Sequence, residues 1–553
     1  MLLQILATGN APAAAPKTGL LRRRRSPMFR ATRMSPEKTT SPKSPGLLPT
    51  LGLFSTMMLV VGGVIGSGIF RKPGVMAAQL GSPELLMLVW VLAAVITLFG
   101  ALTNAEIASL IPETGGQYVY FERMYGPFFA FLYGWAIFAI IQCGSIAAVA
   151  YVFAEYATQF VALPEFSEAT AAWSFHLPFI GDITPLKEIG TKGLAAVLII
   201  LLTAVNFIGV RFGGLVQNIF TVAKVAAMLL LVLGAFLLPT GGAVANFTTP
   251  STTVHLSGLA LFAGIAAALQ GAFWAYDGWN KLTYIAGEVK QPQRNIPLGL
   301  LWGMLIVTAV YLLMNLAYAW VLPIDEMAKS KLVAADVAER IFSGGGRWIA
   351  AAVMVSTFGT TNAIIMATAR VYFSMARMNV FPRFIGNVHP RYHTPAASLV
   401  VQGVWSVALL FSGTFDTLTD TLIFVTWIFY AAGAYGIFVM RRKMPVAIND
   451  ETRMTNDEGM SKPEIRKEPE FKTYRVPGYP VVPWVFILFA LTFLGFTVYN
   501  DIVTYQAAVA AGKPALINSV FGVALVLVGT PIYLFYRRRG RTAQSDLTTD
   551  GHG

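Results

Sequence analysis

Long apolar runs, separated by short polar, charged or glycine- and proline-rich stretches, recur along almost the whole chain after residue 50. A helix needs about 20 apolar residues to cross a bilayer. Twelve segments offer that: residues 51–80, 86–111, 127–160, 193–210, 214–238, 257–286, 298–322, 348–376, 397–413, 417–440, 480–500 and 516–536. The pattern predicts an all-α integral membrane protein with 12 transmembrane helices.

Composition strengthens this reading. Of the 553 residues 55% are apolar and 12% charged, and the mean hydropathy is +0.61. A soluble domain carries about 25% charged residues, so cytosolic enzymes and secreted disulfide scaffolds are excluded. Cys143 is the only cysteine and there are five scattered histidines, so neither a disulfide framework nor a metal cluster is expected, and no cofactor is implied.

The net charge of +13 could suggest nucleic acid, but its placement argues otherwise. With both termini on the cytoplasmic side, 30 lysines and arginines fall to that side and 9 to the other, counting Arg71, Lys72 and Lys281 near span ends with the adjoining loops, while Lys224 and Arg370 lie deep inside spans. That is the positive-inside asymmetry of a membrane protein, and no nucleic-acid partner is expected. Residues 1–50 hold Arg22 to Arg25 and seven prolines, with no apolar run leading to a cleavage site. They read as a disordered basic cytoplasmic tail. The chain then divides into a ten-helix core (51–440), a charged, proline-containing cytoplasmic loop (441–478), helices 11 and 12 (479–536) and a cytoplasmic C-terminal tail (537–553).

Two spans are interrupted. In the first, Gly62, Gly63, Gly66 and Gly68 fall within seven residues mid-way through the apolar run. Each glycine in a helix costs about 1 kcal/mol relative to alanine, so local unwinding is expected; close packing through small residues is the competing reading. The sixth span carries Asp277 next to Gly278 within Gly271-Ala-Phe-Trp-Ala-Tyr-Asp-Gly-Trp-Asn280. If the core is two five-helix repeats, spans one and six correspond, and the second copy enters from the opposite side. Matching interruptions in two halves point to a transporter binding site. Half-helix amides attract an anion and free carbonyls a cation, which suits a zwitterion such as an amino acid.

Lys224 lies deep in span five, at least nine residues from either end, too far for simple snorkelling. An intramembrane lysine is costly and is read as functional, with a partner to be found.

These residues resemble a known family. Gly63-x-Ile-Gly-Ser-Gly-Ile-Phe70 and Trp274-Ala-Tyr-Asp-Gly-Trp-Asn280 are similar to motifs of the amino acid–polyamine–organocation (APC) superfamily, in its L-type amino acid transporter branch. So are Asn104-Ala-Glu-Ile107 leading to Pro112-Glu-Thr-Gly-Gly-Gln-Tyr118, Pro292-x-x-Asn-Ile-Pro297, Ser356-Thr-Phe-Gly359 with Asn362 and Arg370, and Tyr474-Arg-Val-Pro-Gly-Tyr-Pro-Val-Val-Pro483. The likeness runs from about 50 to 536, except for the extra loop near 446–469.

The resemblance implies a LeuT-like 5+5 inverted repeat with broken helices 1 and 6. It implies an amino acid carrier in which Val64, Ile65, Gly66, Ser67 and Gly68 line the carboxylate side of the substrate. The turn at Trp274, Ala275 and Asp277 is expected to supply carbonyls for the ammonium, with the Trp274 ring as a lid; an ordinary core or lipid-facing ring is the alternative. Lys224 matches the place where sodium-coupled members bind a cation, which implies sodium independence and an ammonium bracing helix one against helices five and eight. Burial also eases lysine deprotonation, so proton coupling stays open. Tyr311 matches a tyrosine that reaches or closes the site, or is a packed aromatic. Thr360 and Asn362 can supply polar contacts near Lys224, and Asn362 can equally join helices by a hydrogen bond. Asp277 has three readings: partner of a cationic substrate, partner of Lys281 four residues on, or cap of the half-helix from Gly278.

Metazoan members of the branch join a heavy subunit through a cysteine in the loop between helices three and four. Residues 161–192 contain none, so no disulfide-linked subunit is expected, and a bacterial inner-membrane carrier is favoured. The sequence leaves oligomeric state and the amino acid carried open. Exchange of neutral L-amino acids is the expectation, with proton-coupled symport, carriage of cationic amino acids and a remote sensor role as alternatives. An enzyme is not expected, since no paired carboxylates or histidines lie within the spans.

Overall fold

The computed structural model describes residues 49–173, 175–177, 181–183, 185–330, 332–412, 415–457, 474–511 and 517–549. Of the tail expected over residues 1–50, residues 1–48 lie outside the described residues, as does the loop segment 458–473. The helices, in chain order, are α1 (Leu53–Val64), α2 (Gly68–Leu80), α3 (Pro83–Leu110), α4 (Gln117–Tyr125), α5 (Pro127–Ala136), α6 (Gln142–Ala157), α7 (Glu168–Ala171), α8 (Ile189–Ile208), α9 (Val210–Leu237), α10 (Gly258–Tyr276) and α11 (Lys281–Tyr284). They continue with α12 (Pro292–Val321), α13 (Ile324–Lys329), α14 (Val333–Ile341), α15 (Gly345–Arg377), α16 (Ala396–Ser412), α17 (Phe415–Asp457), α18 (Val481–Ala510) and α19 (Asn518–Thr549).

Eleven segments among the described residues are long and apolar enough to cross a membrane, so this is a multi-pass membrane protein. The ninth expected span is α16, a shorter apolar helix whose qualifying run is Ala396–Phe411. Span three is continuous through α5 and α6, joined by a π-helical turn at Ile137–Ile141. Helix α17 runs on to Asp457, beyond the expected end of span ten at 440. One two-stranded antiparallel hairpin departs from the helical plan. It pairs β1 (Phe175–Leu177) with β2 (Gly181–Ile183) in the long loop after span three.

Burial sorts the spans. The most apolar window of Leu53–Leu80 is 72% buried and that of Pro127–Ala157 is 78% buried, against 22% for Asn518–Arg537. Spans one and three are therefore central and the last is peripheral. Leu230, Leu233 and Leu237 on α9 stay exposed, as expected for a face turned to lipid rather than water.

Two ion pairs inside the bundle tie distant elements together. Arg370 Nε on α15 donates to Glu288 Oε1 at 2.8 Å, with both side chains almost wholly buried. Glu106 on α3 accepts from Arg441 Nε and Nη2, each at 2.8 Å, and from the Val476 amide at 2.6 Å. The carboxylate thus ties α17 to the segment that leads into α18. The carbonyl of Glu288 also accepts from the Thr50 and Leu51 amides, fixing the chain just before α1.

Removing one partner of a buried ion pair costs about 3–5 kcal/mol, because the other charge is left bare. Arg370→Met should lower the thermal midpoint of the detergent-purified protein markedly, and adding Glu288→Gln should recover most of the loss. Equal midpoints for wild type and Arg370→Met would contradict this.

Candidate functional site

The two interrupted spans face each other. Helix α1 ends at Val64 and α2 starts at Gly68, leaving Ile65, Gly66 and Ser67 in a non-helical bend. Helix α10 ends at Tyr276; Asp277 is extended (φ −67°, ψ 151°), and α11 resumes at Lys281. Gly278 has φ +109°, a conformation open mainly to glycine. A side chain there would also meet the Gly63 carbonyl at 2.6 Å. At Gly68 an added Cβ would come within 2.5 Å of Ala275 Cα. Glycines therefore permit backbone-to-backbone contact at both crossings.

Between the breaks lies a small cleft lined by both broken spans. Gly63, Val64, Gly66, Ser67 and Gly68 form one wall. Trp274, Asp277 and Lys281 form the facing wall, and Thr360 and Ile364 of α15 with Ser145 and Val149 of α6 close it. The buried Ser67 hydroxyl has no hydrogen-bond partner among the described residues. The first amides of α2 have no intrahelical acceptor either, as at any helix start.

Behind the first wall, Lys224 reaches into the bend. Its Nζ donates to the carbonyls of Gly62 at 2.8 Å and Ile65 at 2.5 Å, and to Thr360 Oγ1 at 3.0 Å. Lys224, on α9, is thereby joined to α1 and α15. The Tyr311 hydroxyl on α12 lies 3.1 Å from the Val64 carbonyl and 3.0 Å from that of Ala275. It can donate to either break.

Of the residues expected at the site, Val64, Gly66, Ser67, Gly68, Trp274, Asp277 and Thr360 line the cleft. Ile65, Ala275, Tyr311 and Asn362 do not: Ile65 is in the first break, Ala275 is in the last turn of α10, and Tyr311 reaches both spans through its hydroxyl. Asn362 is fully buried and its Oδ1 accepts from Asn206 Nδ2 at 2.8 Å, a bond between α15 and α8. Asp277 takes the internal partners: Tyr430 donates to Oδ1 at 2.7 Å, and Lys281 Nζ stands 3.7 Å from Oδ2. Helix α11 has no side-chain cap.

Sequence reasoning missed Lys281 as a wall residue, along with Ser145, Val149 and Ile364. Below the second break, Asn280 Nδ2 donates to Tyr284 Oη at 2.9 Å and Gln117 Oε1 at 3.2 Å, and Tyr284 meets Tyr133 at 2.7 Å.

A family profile described as amino acid permease matches residues 51–526. The chain belongs to that family. Among its relatives, the b(0,+)-type amino acid transporter 1 of Homo sapiens is 31% identical over 404 residues, 73% of this chain and 78% of its own length. The serine/threonine exchanger SteT of Bacillus subtilis (strain 168) is 28% identical over 499 residues, 89% of this chain and 98% of that protein. The large neutral amino acids transporter small subunit 2 of Rattus norvegicus is 32% identical over 428 residues, 75% of each chain. This permease is thus an amino acid transporter of the APC superfamily, related to the L-type branch, and not an enzyme.

Because the permease packs α2 directly on α10 at Gly68, a larger residue must push two backbones apart. Overpacking of this kind costs about 1–3 kcal/mol. Gly68→Val should depress the thermal midpoint of the purified permease, and an unchanged midpoint would rule out the tight crossing.

Proposed function

We propose that the permease is a sodium-independent exchanger of neutral L-amino acids that works by alternating access. The observation that carries this reading is the Lys224 ammonium, held by the Gly62 and Ile65 carbonyls where the first span is broken. A fixed positive charge on those carbonyls fills the role of a bound metal cation, so substrate binding needs no sodium. The exchange reading draws further support from the serine/threonine exchanger that aligns with most of the chain.

In this mechanism the substrate carboxylate meets the α2 amides near Gly66, Ser67 and Gly68, where a helix start favours negative charge. The unpartnered Ser67 hydroxyl is a ready donor for it. The substrate ammonium takes carbonyls at the end of α10, near Trp274, Ala275 and Asp277, and the Trp274 ring covers the bound molecule. Tyr311 holds the two breaks in register, Thr360 shares the Lys224 bracing, and Asn362 fixes α15 to its neighbour. The fold behind it is a twelve-helix, LeuT-like 5+5 inverted repeat. Helices one and six rock within their bundle against a scaffold of helices three, four, eight and nine, while helices 11 and 12 lie outside the repeat. The carrier sits in the cell (inner) membrane with both termini in the cytoplasm and works without a disulfide-linked heavy subunit. Its single cysteine, Cys143, is buried.

One observation favours a second reading, proton-coupled symport: the same Lys224 is a buried titratable group in direct contact with the moving break. The deciding measurement is uptake of labelled amino acids into proteoliposomes in sodium-free buffer, with the lumen empty or loaded with unlabelled amino acid. Exchange predicts strong stimulation by the loaded lumen. Equal uptake into empty vesicles, rising with an imposed proton gradient, would replace it by symport. Lys224→Met, which leaves two carbonyls of the break without their donor, should reduce uptake at least about tenfold, the effect of losing only about 1.4 kcal/mol of stabilisation. Unchanged kinetics would remove Lys224 from the mechanism.

A further inference from the structure

A second lysine stands at the cleft itself. Lys281 is buried at 3% exposure, on the first turn after the break in the sixth span, and lines the cleft opposite Gly63. Its aliphatic stem packs beside the Gly63 backbone, and its Nζ lies where a side chain on Gly278 would point, 2.6 Å from that Cβ position. Glycine at 278 is what leaves room for the ammonium.

The carboxylate it faces is already engaged. Asp277 Oδ1 accepts from Tyr430 at 2.7 Å, and Oδ2 looks towards Lys281 at 3.7 Å. The pair is i, i+4 in sequence and joins the extended residue of the break to the first residue of α11. Counting Lys224 behind the opposite wall, the surroundings of the cleft carry two ammoniums and one carboxylate. A third cation entering as a lysine or arginine side chain would have to displace Lys281 from Asp277 or stand beside it. Like charges brought together in a desolvated site are costly.

We propose that Lys281 sets the charge preference of the site: it neutralises Asp277 and keeps cationic side chains out. The inference rests on the amino acid transport reading above and names the residue that restricts its substrate class. In a carrier lacking this ammonium, Asp277 would be free to pair with a cationic substrate; here that role is filled from within the chain.

The test is the ratio of lysine uptake to neutral amino acid uptake, measured in proteoliposomes of the full chain preloaded with unlabelled substrate. Wild type should give a ratio below about one-tenth. Lys281→Met should raise that ratio at least about tenfold, as the loss of one repulsive charge and the freeing of one attractive charge require. The double variant Asp277→Asn, Lys281→Met should return it to the wild-type value, because no free carboxylate remains. A folded Lys281→Met protein that keeps the wild-type ratio overturns the proposal, as does a double variant that keeps the gained lysine uptake. Should Lys281→Met aggregate on gel filtration, Asp277→Asn alone decides. With Lys281 then unpaired, uptake of aspartate or glutamate relative to neutral amino acids should rise, and an unchanged ratio overturns the proposal. Wild type that carries lysine as readily as neutral amino acids overturns this inference and leaves transport standing, whereas wild type that carries no amino acid fails the transport reading itself.

Discussion

A peptide group inside a bilayer must find a partner in the protein, since the lipid offers none. Breaking two helices at mid-span exposes several such groups at once, and the surrounding structure is arranged to meet that cost. Lys224 takes the Gly62 and Ile65 carbonyls, and Tyr311 covers those of Val64 and Ala275. The polar side chains therefore sit on α9, α12 and α15, the helices that surround the bends, rather than on the broken spans themselves. The broken spans contribute glycine, which lets two backbones come close enough for a single hydroxyl to reach both.

The same logic governs the charges farther from the site. An isolated buried carboxylate or guanidinium would not survive in this bundle, and each one described is shared between elements distant in sequence. Glu106 joins α3, α17 and the segment before α18, while Glu288 joins α15 to the stretch following α11. Its backbone carbonyl meanwhile anchors the chain just before α1. The stretches bordering both broken spans are thus tied at one point, through main chain on one side and side chain on the other.

Much of this was legible in the sequence because its signals are strong and local. Apolar runs of bilayer length announce spans, and four glycines within seven residues announce a bend. A lysine nine residues from either end of a span has no route to water. Element ends were less legible, since charge composition says little about where a helix stops: α17 carries its helical backbone through the charged residues to Asp457. The wall residues on α6 were not legible either. Ser145 and Val149 are ordinary residues in an ordinary apolar run, and only the packing of α6 against α15 brings them to the cleft.

Lys281 shows how a sequence argument can hide a site residue. Charge counting groups it with the loop after span six, because it lies near the end of that apolar run. Its burial follows from the break itself. Once the helix stops at Tyr276 and turns through Gly278, Asp277 and Lys281 become cleft wall, and the lysine is drawn inward. The two lysines of the site are therefore held in chemically different ways. Lys224 donates to two carbonyls and a hydroxyl, with no carboxylate among those partners. Lys281 stands beside a carboxylate, Asp277, whose other oxygen accepts from Tyr430. On the proposed reading, the helix ends at the two breaks are left to a zwitterion's own charges, and the carboxylate of the cleft wall is met from within the chain.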